Sequence, residues 1–314
     1  MLLLAPFIVC TLAVLLDRLL GEPSRLHPVV GFGRLVSALE KKCNTSPARP
    51  QRGVLAGLAA LLLITLPILA VTLWLSSVLD GLWLIVAQAA TAWLAMSLRG
   101  LAEHGQAVAE PLHNGDLVSA QEQVSRIVSR QASALDEQGV AAAATESMLE
   151  NGADAVFATL FWLLVAGMPG VVLHRMVNTL DAMWGYRNPQ FLYFGRAAAR
   201  LDDILGWLPA RLTALTYALL GNTKLAVECW RNQAPQWDSP NAGPVMAAGA
   251  GALNVRLGGP SPYPSGIKQR PLLGGTDKAN AASIEAAIRL VRHGVVLWLA
   301  VIFVLSVLAA IIGV

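Results

Sequence analysis

Residues 146–165 have the sequence ESMLENGADAVFATLFWLLV, in which three acidic residues precede an uncharged, mostly apolar run. Four residues are close to one turn of an α-helix, so Glu146, Glu150 and Asp154 are expected on one side of a helix. Like charges at this spacing cost about a few tenths of a kcal/mol each, and more beside lipid. We expect a bound cation, or a cationic group of a substrate, to offset this cost. The segment therefore indicates an active site at a membrane surface.

The composition indicates an integral membrane protein. Of the 314 residues, 55% are hydrophobic and 14% are charged, whereas about a quarter are charged in a soluble domain. Apolar stretches of roughly the 20 residues that cross a bilayer cover residues 2–20, 54–79, 82–98 and 295–314. The first stretch lacks the basic start and cleavage pattern of a signal peptide, so we expect it to be retained. We predict an all-α, polytopic membrane protein with about four or five spans, forming a single membrane-embedded domain over residues 1–314.

Several other classes of protein are disfavoured. Cys10, Cys43 and Cys229 are scattered, which favours neither a disulfide framework nor a metal knuckle. No basic stripe is interleaved with aromatic residues, so no nucleic-acid partner is expected. No Gly-x-Ser-x-Gly elbow or Cys/His pair suggests covalent catalysis. The remaining acids, arginines and backbone amides suit the binding of Mg²⁺ and phosphates and the positioning of reactants.

The basic residues predict which loops face the cytoplasm. Residues 21–53 are rich in Lys and Arg, and short loops of this kind stay inside. Only Asp80 and Gly81 join the two middle spans, so the chain returns to the same side. Residues 99–150 are therefore predicted to form a cytoplasmic helical insertion, and residues 222–293 a cytoplasmic loop-rich segment.

Within these segments, glycine and proline predict the interruptions. The helices of the insertion are expected to break near Gly115 and Gly139. Residues 243–275 are rich in Gly and Pro and are expected to be mostly loop. Residues 278–293 are predicted to be a helix that enters the last span.

The apolar stretch at 155–177 is interrupted by Gly167-Met-Pro169-Gly170, which disfavours a continuous helix. Two short helices that meet at this turn would form a re-entrant hairpin, entering and leaving on the cytoplasmic side. Such a hairpin is allowed where protein buries the broken backbone. In the alternative, residues 205–220 supply a compensating span, although Arg211 lies inside it.

Polar segments at the ends of the apolar stretches supply candidate binding residues. The turn at 17–34 displays Arg18, Glu22, His27 and Arg34; it binds substrate or, alternatively, anchors the protein to lipid headgroups. His27 is not expected to bind zinc, because no second His or Cys lies at ligand spacing. The acids at 146–154 follow Arg126 and Arg130, and the alternative for them is a solvated face paired with arginines.

Two further polar segments lie later in the chain. Asn178 and Asp181 share a helical face, and Asp202-Asp203 is a plausible pair of ligands for a hard cation. Trp184 and Tyr186 lie between these two segments in the sequence. They are expected either to contact a large flat ligand or, alternatively, to lie in the interfacial aromatic belt. The glycines at 257–266, with Lys268 and Arg270, allow a phosphate site, although an ordinary loop is the alternative. They do not form a Walker motif.

Taken together, these segments resemble the adenosylcobinamide-phosphate synthases of cobalamin biosynthesis, the CbiB/CobD family. The resemblance covers nearly the whole chain. It is carried by GEP at 21–23, HP at 27–28, GR at 33–34, ES at 146–147, EN at 150–151 with Asp154, NTLD at 178–181, WGY at 184–186, ARLDD at 199–203, PAR at 209–211 and SPNAG at 239–243.

The resemblance implies an amide-bond-forming enzyme of the inner membrane. Family members attach aminopropanol or its O-phosphate to a carboxylate of adenosylcobyric acid. ATP and Mg²⁺ are implied, because a free carboxylate must be activated, through an acyl phosphate, before it condenses with an amine. The expected partners are the corrinoid, the amine, the lipid bilayer and a second copy of the chain or other membrane enzymes of cobalamin assembly.

We hypothesise roles for the residues within this reaction. The catalytic set is Glu146, Glu150, Asn151, Asp154 and Asp181, with Glu146 as one candidate for the base toward the ammonium group. Mg²⁺ would be held by Glu150, Asp154, Asp181, Asp202 and Asp203. The substrate and phosphate set is Arg18, Glu22, His27, Arg34, Arg130, Asn178, Trp184, Tyr186, Arg200, Arg211, Asn241 and Lys268. Arginines in this set would neutralise phosphate charge.

The chain departs from the family pattern at a few positions. Ala155 and Thr159 stand where the family usually has Gly and Pro, Gln131 and Ala132 replace an Asp-Thr pair, and Met246 stands where Glu is common. Two alternatives for the function are a non-catalytic membrane sensor that resembles the AmpE-type proteins, and a corrinoid transporter. The presence of all three acids, Glu146, Glu150 and Asp154, disfavours the non-catalytic sensor. The transporter is disfavoured because the acids lie at the ends of the spans rather than in their middle.

Overall fold

A computed structural model of the chain describes residues 4–23, 27–45, 49–263 and 266–312. The outermost residues of the first and last predicted spans, 2–3 and 313–314, lie outside the described residues. The structure is 78% helical, which confirms the predicted all-α class. The helices are α1 (Ala5–Leu20), α2 (Pro28–Cys43), α3 (Pro50–Val78), α4 (Gly81–Ala95), α5 (Leu98–His113), α6 (Leu117–Ser125), α7 (Glu137–Asn151), α8 (Ala158–Trp184), α9 (Arg196–Leu220), α10 (Thr223–Asn232), α11 (Ala242–Ala252) and α12 (Ala281–Ile312).

Four helical segments in the described part of the chain are long and apolar enough to cross a membrane. They are Pro50–Val78, Gly81–His113, Glu137–Trp184 and Ala281–Ile312. Three of them overlap almost completely with the spans predicted at 54–79, 82–98 and 295–314, and the fourth contains the acid-rich stretch. The predicted first span corresponds to α1, which has only 16 residues. The alternative span at 205–220 lies in α9, which is not one of the four.

The predicted break near Gly167 is confirmed. Gly167 has φ 58° and ψ −147° within α8, a backbone conformation that glycine adopts without steric cost. A Cβ atom on Gly170 would lie 2.7 Å from the carbonyl oxygen of Trp162, whereas residues eight apart in a straight helix are separated by about 12 Å along the axis. The two arms of α8 therefore lie side by side at this point. Entry of this hairpin from one side of a bilayer stays a prediction.

The chain folds into two compact units. The first unit comprises Met1–Ser97, Ala158–Gly206 and Ile302–Val314, and the second comprises Leu98–Phe157 and Trp207–Val301. The single domain over residues 1–314 stays a prediction.

In the first unit, α1 packs against α4, and α8 packs against α2, α3 and α4. A hydrophobic core cluster of this unit contains Leu61, Leu180, Trp184 and Phe194. Helix α3 approaches the chain before α9 very closely, because a Cβ atom on Gly57 would lie 1.8 Å from the carbonyl oxygen of Phe194. Only glycine fits that contact without a shift of the backbone.

The helical insertion predicted at 99–150 is made of α5, α6 and α7 in the second unit. The expected break at Gly115 is confirmed by its φ of 71°. The second break lies between Ser125 and Glu137 rather than at Gly139. Gly139 is in the first turn of α7, where its amide donates a 2.8 Å hydrogen bond to the side chain of Asp136, an N-cap that begins the helix.

The segment at 243–275 is not mostly loop, and this prediction is wrong. Every residue of α11, AGPVMAAGAGA, is buried, because its glycines and alanines allow close packing: a Cβ atom on Gly251 would lie 2.7 Å from the Cα of Ala226. Five short strands follow: β1 (Val255–Gly258), β2 (Ser261–Tyr263), β3 (Gly266–Lys268), β4 (Leu272–Gly274) and β5 (Asp277–Lys278).

These strands form two small sheets. Strand β1 lies between β4, to which it is antiparallel, and β5, to which it is parallel; β2 and β3 form an antiparallel pair. None of them exceeds four residues, which is too short for an alternating pattern to be recognised in the sequence. The helix predicted at 278–293 is confirmed as the beginning of α12.

We expect Gly57→Ala to destabilise the purified protein, because the added methyl group overlaps the backbone of Phe194. Overpacking of this kind costs about 1–3 kcal/mol. The matched control is Gly31→Ala in α2, where a Cβ atom meets nothing within 4 Å and alanine favours the helix. Thermal unfolding in detergent should show a lower apparent Tm for Gly57→Ala and an equal or higher one for Gly31→Ala. Equal values for the two variants would contradict the close contact.

Candidate functional site

A buried ion cluster around Glu146 connects α7 to the strand region of the second unit. The Glu146 side chain accepts hydrogen bonds from the guanidinium of Arg130 and from Nη1 of Arg270, at 2.8 Å for the latter. Its other oxygen accepts from the amide of Gly258 at 2.8 Å and from Nη2 of Arg270 at 3.3 Å. The three charged side chains expose less than a tenth of their surface. Both oxygens of Glu146 are therefore engaged.

The local backbone fixes these donors. Gly258 has φ 74°, and a Cβ atom there would lie 2.1 Å from the carbonyl oxygen of Pro271, so glycine is required where the amide points at Glu146. Arg270 also donates through Nε to the carbonyl of Gly259 at 3.1 Å and lies over the ring of Trp237 at 5.3 Å. Each contact restricts the guanidinium to one orientation.

Arg130 is held by its side-chain contact with Glu146 and by a backbone contact of the next residue, Gln131. Burial alone lowers the pKa of its guanidinium, but the charge and hydrogen bond of Glu146, together with those of Tyr263, outweigh this and raise the pKa. Its neighbour Gln131 donates a backbone hydrogen bond of 3.0 Å to Pro262, which ties this loop to β2. Arg130 therefore remains charged next to Glu146.

A pocket of about 290 Å³ opens beside this cluster; we call it the Glu146 pocket. Five of the predicted site residues line it: Arg130, Glu146, Glu150, Asn151 and Lys268. It is also lined by Arg270, which the sequence suggested only as additional charge, and by Trp237 and Tyr263, which the sequence did not indicate. No spacing rule connects Arg270 to a carboxylate 124 positions away.

The two glutamates of the pocket differ in their surroundings. Glu150 lies one helical turn after Glu146, and among the described residues none donates a hydrogen bond to its carboxylate. Asn151 donates through Nδ2 to the carbonyl of Ser147 at 2.9 Å and to its hydroxyl at 3.0 Å. Its amide oxygen is thereby oriented away from the helix backbone. Glu150 is thus the carboxylate that a ligand in the pocket can reach.

Asp154 is not among the residues that line the pocket. It lies in a π-helical turn, Gly152–Phe157, which is a feature often found near functional sites. Tyr217 lies near it: burial and then the charge of Asp154 raise the pKa of the tyrosine hydroxyl, which donates to the carbonyl of Leu149 at 3.0 Å. The helical rise places Asp154 about 12 Å along the axis from Glu146, so the expected group of three carboxylates is divided.

Two more predicted residues meet on the loop beside the pocket. Arg211 donates to the side chain of Asn241 at 2.9 Å and to the carbonyl of Pro240 at 3.0 Å, and it lies 4.4 Å above the ring of Trp207. Arg211 therefore holds the loop that leads into α11. Lys268 forms an exposed ion pair of 2.7 Å with the side chain of Asp238.

In the first unit, Glu22, His27 and Arg34 line a cavity of about 720 Å³, as does Arg175, which the sequence did not indicate. His27 caps α2, because its Nδ1 accepts a 3.2 Å hydrogen bond from the amide of Val29. The predicted Arg18 is exposed in the last turn of α1 and does not line this cavity.

A third group of predicted residues joins α8 and α9. Asn178 donates to the side chain of Asp202 at 3.5 Å. Burial, and then the charge of Asp181, raise the pKa of Asp202 to about 7. Burial also raises the pKa of Asp203, whereas Arg200 and Arg187 oppose this. Asp181 and Asp203 therefore lie close enough to Asp202 for their like charges to interact.

The fit of this donor set to Mg²⁺ is limited. Across the described residues, no group of three or more His, Cys, Asp or Glu side chains is arranged to hold a metal ion. Mg²⁺ commonly uses only one or two carboxylates, with water and substrate phosphates completing its shell. Glu150, or Asp181 with Asp202, suits such a partial set. The predicted five-residue metal site stays a prediction.

Trp184 and Tyr186, the two aromatic residues predicted to contact the substrate, differ in their burial. Trp184 is only 1% exposed and packs edge-on against Phe194, with ring centroids 4.8 Å apart. It therefore belongs to the core in this conformation and does not offer a face to a ligand, which differs from the predicted contact with substrate. Tyr186 is exposed, beside Phe191.

Comparisons with known proteins identify the family. A family model described as "CobD/Cbib protein" matches residues 10–291. Proteins named "Cobalamin biosynthesis protein CobD" from Stutzerimonas stutzeri (strain A1501) and Chromobacterium violaceum are 56% and 54% identical, covering 92% of this chain and 94% and 93% of the relatives. The chain belongs to the CobD/Cbib family. A protein of the same name from Halalkalibacterium halodurans is 35% identical and covers 94% of both chains. No solved structure matches.

In this CobD/Cbib family member, we expect Glu146→Gln to lower stability strongly, because two buried guanidinium groups lose their counter-charge. Breaking a buried ion pair costs about 3–5 kcal/mol. The matched control is Glu103→Gln, which removes an exposed pair with Arg99 worth about 0–1 kcal/mol. Thermal unfolding of both purified variants checks this, and similar Tm values would show that the cluster is not structural.

We also expect a pH effect from Asp202. Its folded-state pKa of about 7 lies above the usual value of about 3.9, so its protonated form favours folding, and this contribution is lost as pH rises through about 7. With EDTA present, the apparent Tm should fall between pH 5 and pH 8, because this group lowers the free energy of unfolding by at most about 1.4 kcal/mol per pH unit. Asp202→Asn should reduce that fall, whereas the exposed Asp80→Asn should not. An identical pH profile for all three proteins contradicts the assignment.

Proposed function

We propose that this protein is a membrane-bound synthase of cobalamin biosynthesis that forms an amide bond between adenosylcobyric acid and aminopropanol or its O-phosphate. Membership of the family and the printed names of its relatives support the pathway. The observation that carries the proposal is the Glu146 pocket, where two oriented guanidiniums lie next to a carboxylate open to ligands.

The reaction needs activation of a carboxylate and deprotonation of an amine. ATP supplies the activation: a carboxylate oxygen of the corrinoid takes the terminal phosphoryl group, and ADP leaves. A base first takes one proton from the ammonium group of the substrate. The amine nitrogen then forms the C–N bond, the C–O bond to phosphate breaks, and inorganic phosphate leaves with the second proton of the nitrogen. The protein must therefore bind phosphate charge and offer a proton acceptor at the same place.

Arg130, Arg270 and Lys268 supply the positive charge around the pocket. Guanidinium groups match phosphate oxygens in geometry and charge, and an oriented donor stabilises developing negative charge without reorganisation. Glu146 acts as a positioning residue in this scheme, because both of its oxygens already accept hydrogen bonds. This differs from the sequence-based hypothesis that Glu146 is the base.

Glu150 is the better candidate for the proton acceptor. It lines the same pocket as the arginines, and no described residue donates a hydrogen bond to it. Alternatively, the same carboxylate would contribute one ligand to a Mg²⁺ ion whose other ligands are phosphate oxygens and water. Both roles require a carboxylate at position 150.

We place the protein in the cytoplasmic membrane with the Glu146 pocket facing the cytoplasm. The four apolar helices support a membrane location, and the basic residues between positions 21 and 53 support the orientation. ATP is available on that side. Labelling of single cysteines at Asn178 or Asp181 from one side of sealed vesicles tests whether the hairpin of α8 enters and leaves on the cytoplasmic side, and labelling only from the periplasmic side would exclude that arrangement.

The direct experiment is an assay of purified full-length protein with cobyric acid, ATP, Mg²⁺ and each amine, followed by mass spectrometry of the product. Cobinamide or cobinamide phosphate is expected, and the preferred amine identifies the second substrate. In cells, a strain lacking the synthase should grow on cobinamide but not on cobyric acid until this gene is supplied. A corrinoid transporter or a non-catalytic sensor would form no product in the purified system.

We expect Glu150→Gln to lower kcat by about 10²–10⁴-fold, the range for loss of a general base, without a large change in Tm. Glu150→Asp should keep partial activity, because the charge remains but recedes from the pocket. Glu103→Gln serves as the matched control on an exposed helix face and should keep full activity. Unchanged turnover in Glu150→Gln would remove this carboxylate from the mechanism.

A further inference from the structure

Two cavities of the first unit share part of their walls. The wider one, of about 720 Å³, is lined by His27, Arg34 and Arg175. The narrower one, of about 290 Å³, is lined mainly by apolar side chains, among them Ile68 and Met176. Pro28, Val29, Leu94 and Arg175 line both. One ligand can therefore place a charged group in the wider cavity and an apolar chain in the narrower one.

The charges in the wider cavity favour an anion. Arg34 and Arg175 are cationic, and His27 accepts at Nδ1, which leaves the opposite ring nitrogen as a donor in the neutral form. Among the described residues that line it, the one acid is Glu22, which accepts a hydrogen bond from the Ser97 hydroxyl. Two guanidiniums and an imidazole donor form a set that suits phosphate oxygens.

The narrower cavity has the character of bilayer hydrocarbon. It lies between α2, α3, α4 and α8, and the few polar groups on its wall include the hydroxyls of Thr72 and Thr91. Both are already used: Thr72 donates to the carbonyl of Leu69 at 2.9 Å and Thr91 to that of Ala87 at 2.8 Å. These walls therefore present a mainly apolar surface to a ligand.

The end of α4 indicates the level of both cavities. This helix contains no charged residue, and Leu94 near its end and Met96 just beyond it line the wider cavity. The span predicted at 82–98 ends close to Met96, and the end of an uncharged span is where hydrocarbon gives way to lipid headgroups. The cationic side chains thus lie where phosphates of a bilayer lie.

We propose that these two cavities form a binding site for an anionic phospholipid. The phosphate lies against Arg34 and Arg175, and one acyl chain enters the space beside Ile68 and Met176. An anionic headgroup is favoured over a zwitterionic one, because a choline group would bring a cation next to two guanidiniums. The lipid would join α2 to the hairpin of α3 and α4.

The test uses purified, delipidated full-length protein and native mass spectrometry with dioleoyl phosphatidylglycerol and dioleoyl phosphatidylcholine. Phosphatidylglycerol should bind more tightly. Arg34→Gln should weaken phosphatidylglycerol binding about fivefold, the contribution of one basic residue near a lipid surface, and should reduce the preference for phosphatidylglycerol over phosphatidylcholine. Arg34 is exposed, so folding is not at risk. Arg231→Gln, exposed on α10, is the matched control and should change neither.

Two further arms separate the sources of phosphate. Each buried methylene strengthens binding roughly fourfold, so dioctanoyl phosphatidylglycerol should bind more tightly than the dihexanoyl form. Inorganic phosphate or aminopropanol O-phosphate, added at the same concentration as the lipid, should displace neither form of phosphatidylglycerol. Equal affinity for both chain lengths, equal affinity for both headgroups, or displacement by either soluble phosphate would overturn the proposal. The last outcome would assign the cavity to a soluble substrate.

Discussion

The carboxylate of Glu146 is the contact on which the functional region of the second unit depends. Two guanidiniums and one backbone amide donate to it, and they come from the loop before α7, from β1 and from the segment before β4. Removing such charges from water costs several kcal/mol for each ion, and only saturated hydrogen bonding recovers that cost. The cluster meets this condition, since both oxygens of the carboxylate are used. It therefore fixes three distant parts of the chain around one pocket.

The same cluster keeps the net charge of the pocket small, although three basic side chains line it. Arg130 and Arg270 are balanced in part by Glu146, and Lys268 is paired with Asp238. Under the proposed function, recognition rests on the direction of the remaining donors rather than on the attraction of an excess of charge. Glu150, on the next turn of α7, supplies a carboxylate at a defined distance from those donors because both acids belong to one helix.

The sequence predicts features that depend on neighbouring residues or on local composition. Long apolar runs identified three of the four candidate spans, and Gly167 with Pro169 identified the break in α8. Features that depend on distant contacts were not accessible. Nothing in the spacing links Arg270 to Glu146. A tryptophan such as Trp184 occurs both in protein cores and in interfacial belts, so the sequence does not distinguish the two positions. Helix α11 was mistaken for loop, since glycine is a breaker in water but allows close packing in a buried helix.

The basic residues of the Glu146 pocket and those of the wider cavity in the first unit differ in their exposure and in their partners. In the Glu146 pocket the arginines are buried and bound to a carboxylate, so their positions are fixed and salt screens them little. In the cavity of the first unit, Arg34 is exposed and no carboxylate is its partner in a described ion pair, so its charge stays available to an anion from outside. Fixed donors suit a reaction whose geometry must be reproduced at each turnover. An exposed cation beside an apolar chamber suits a ligand that is retained rather than converted.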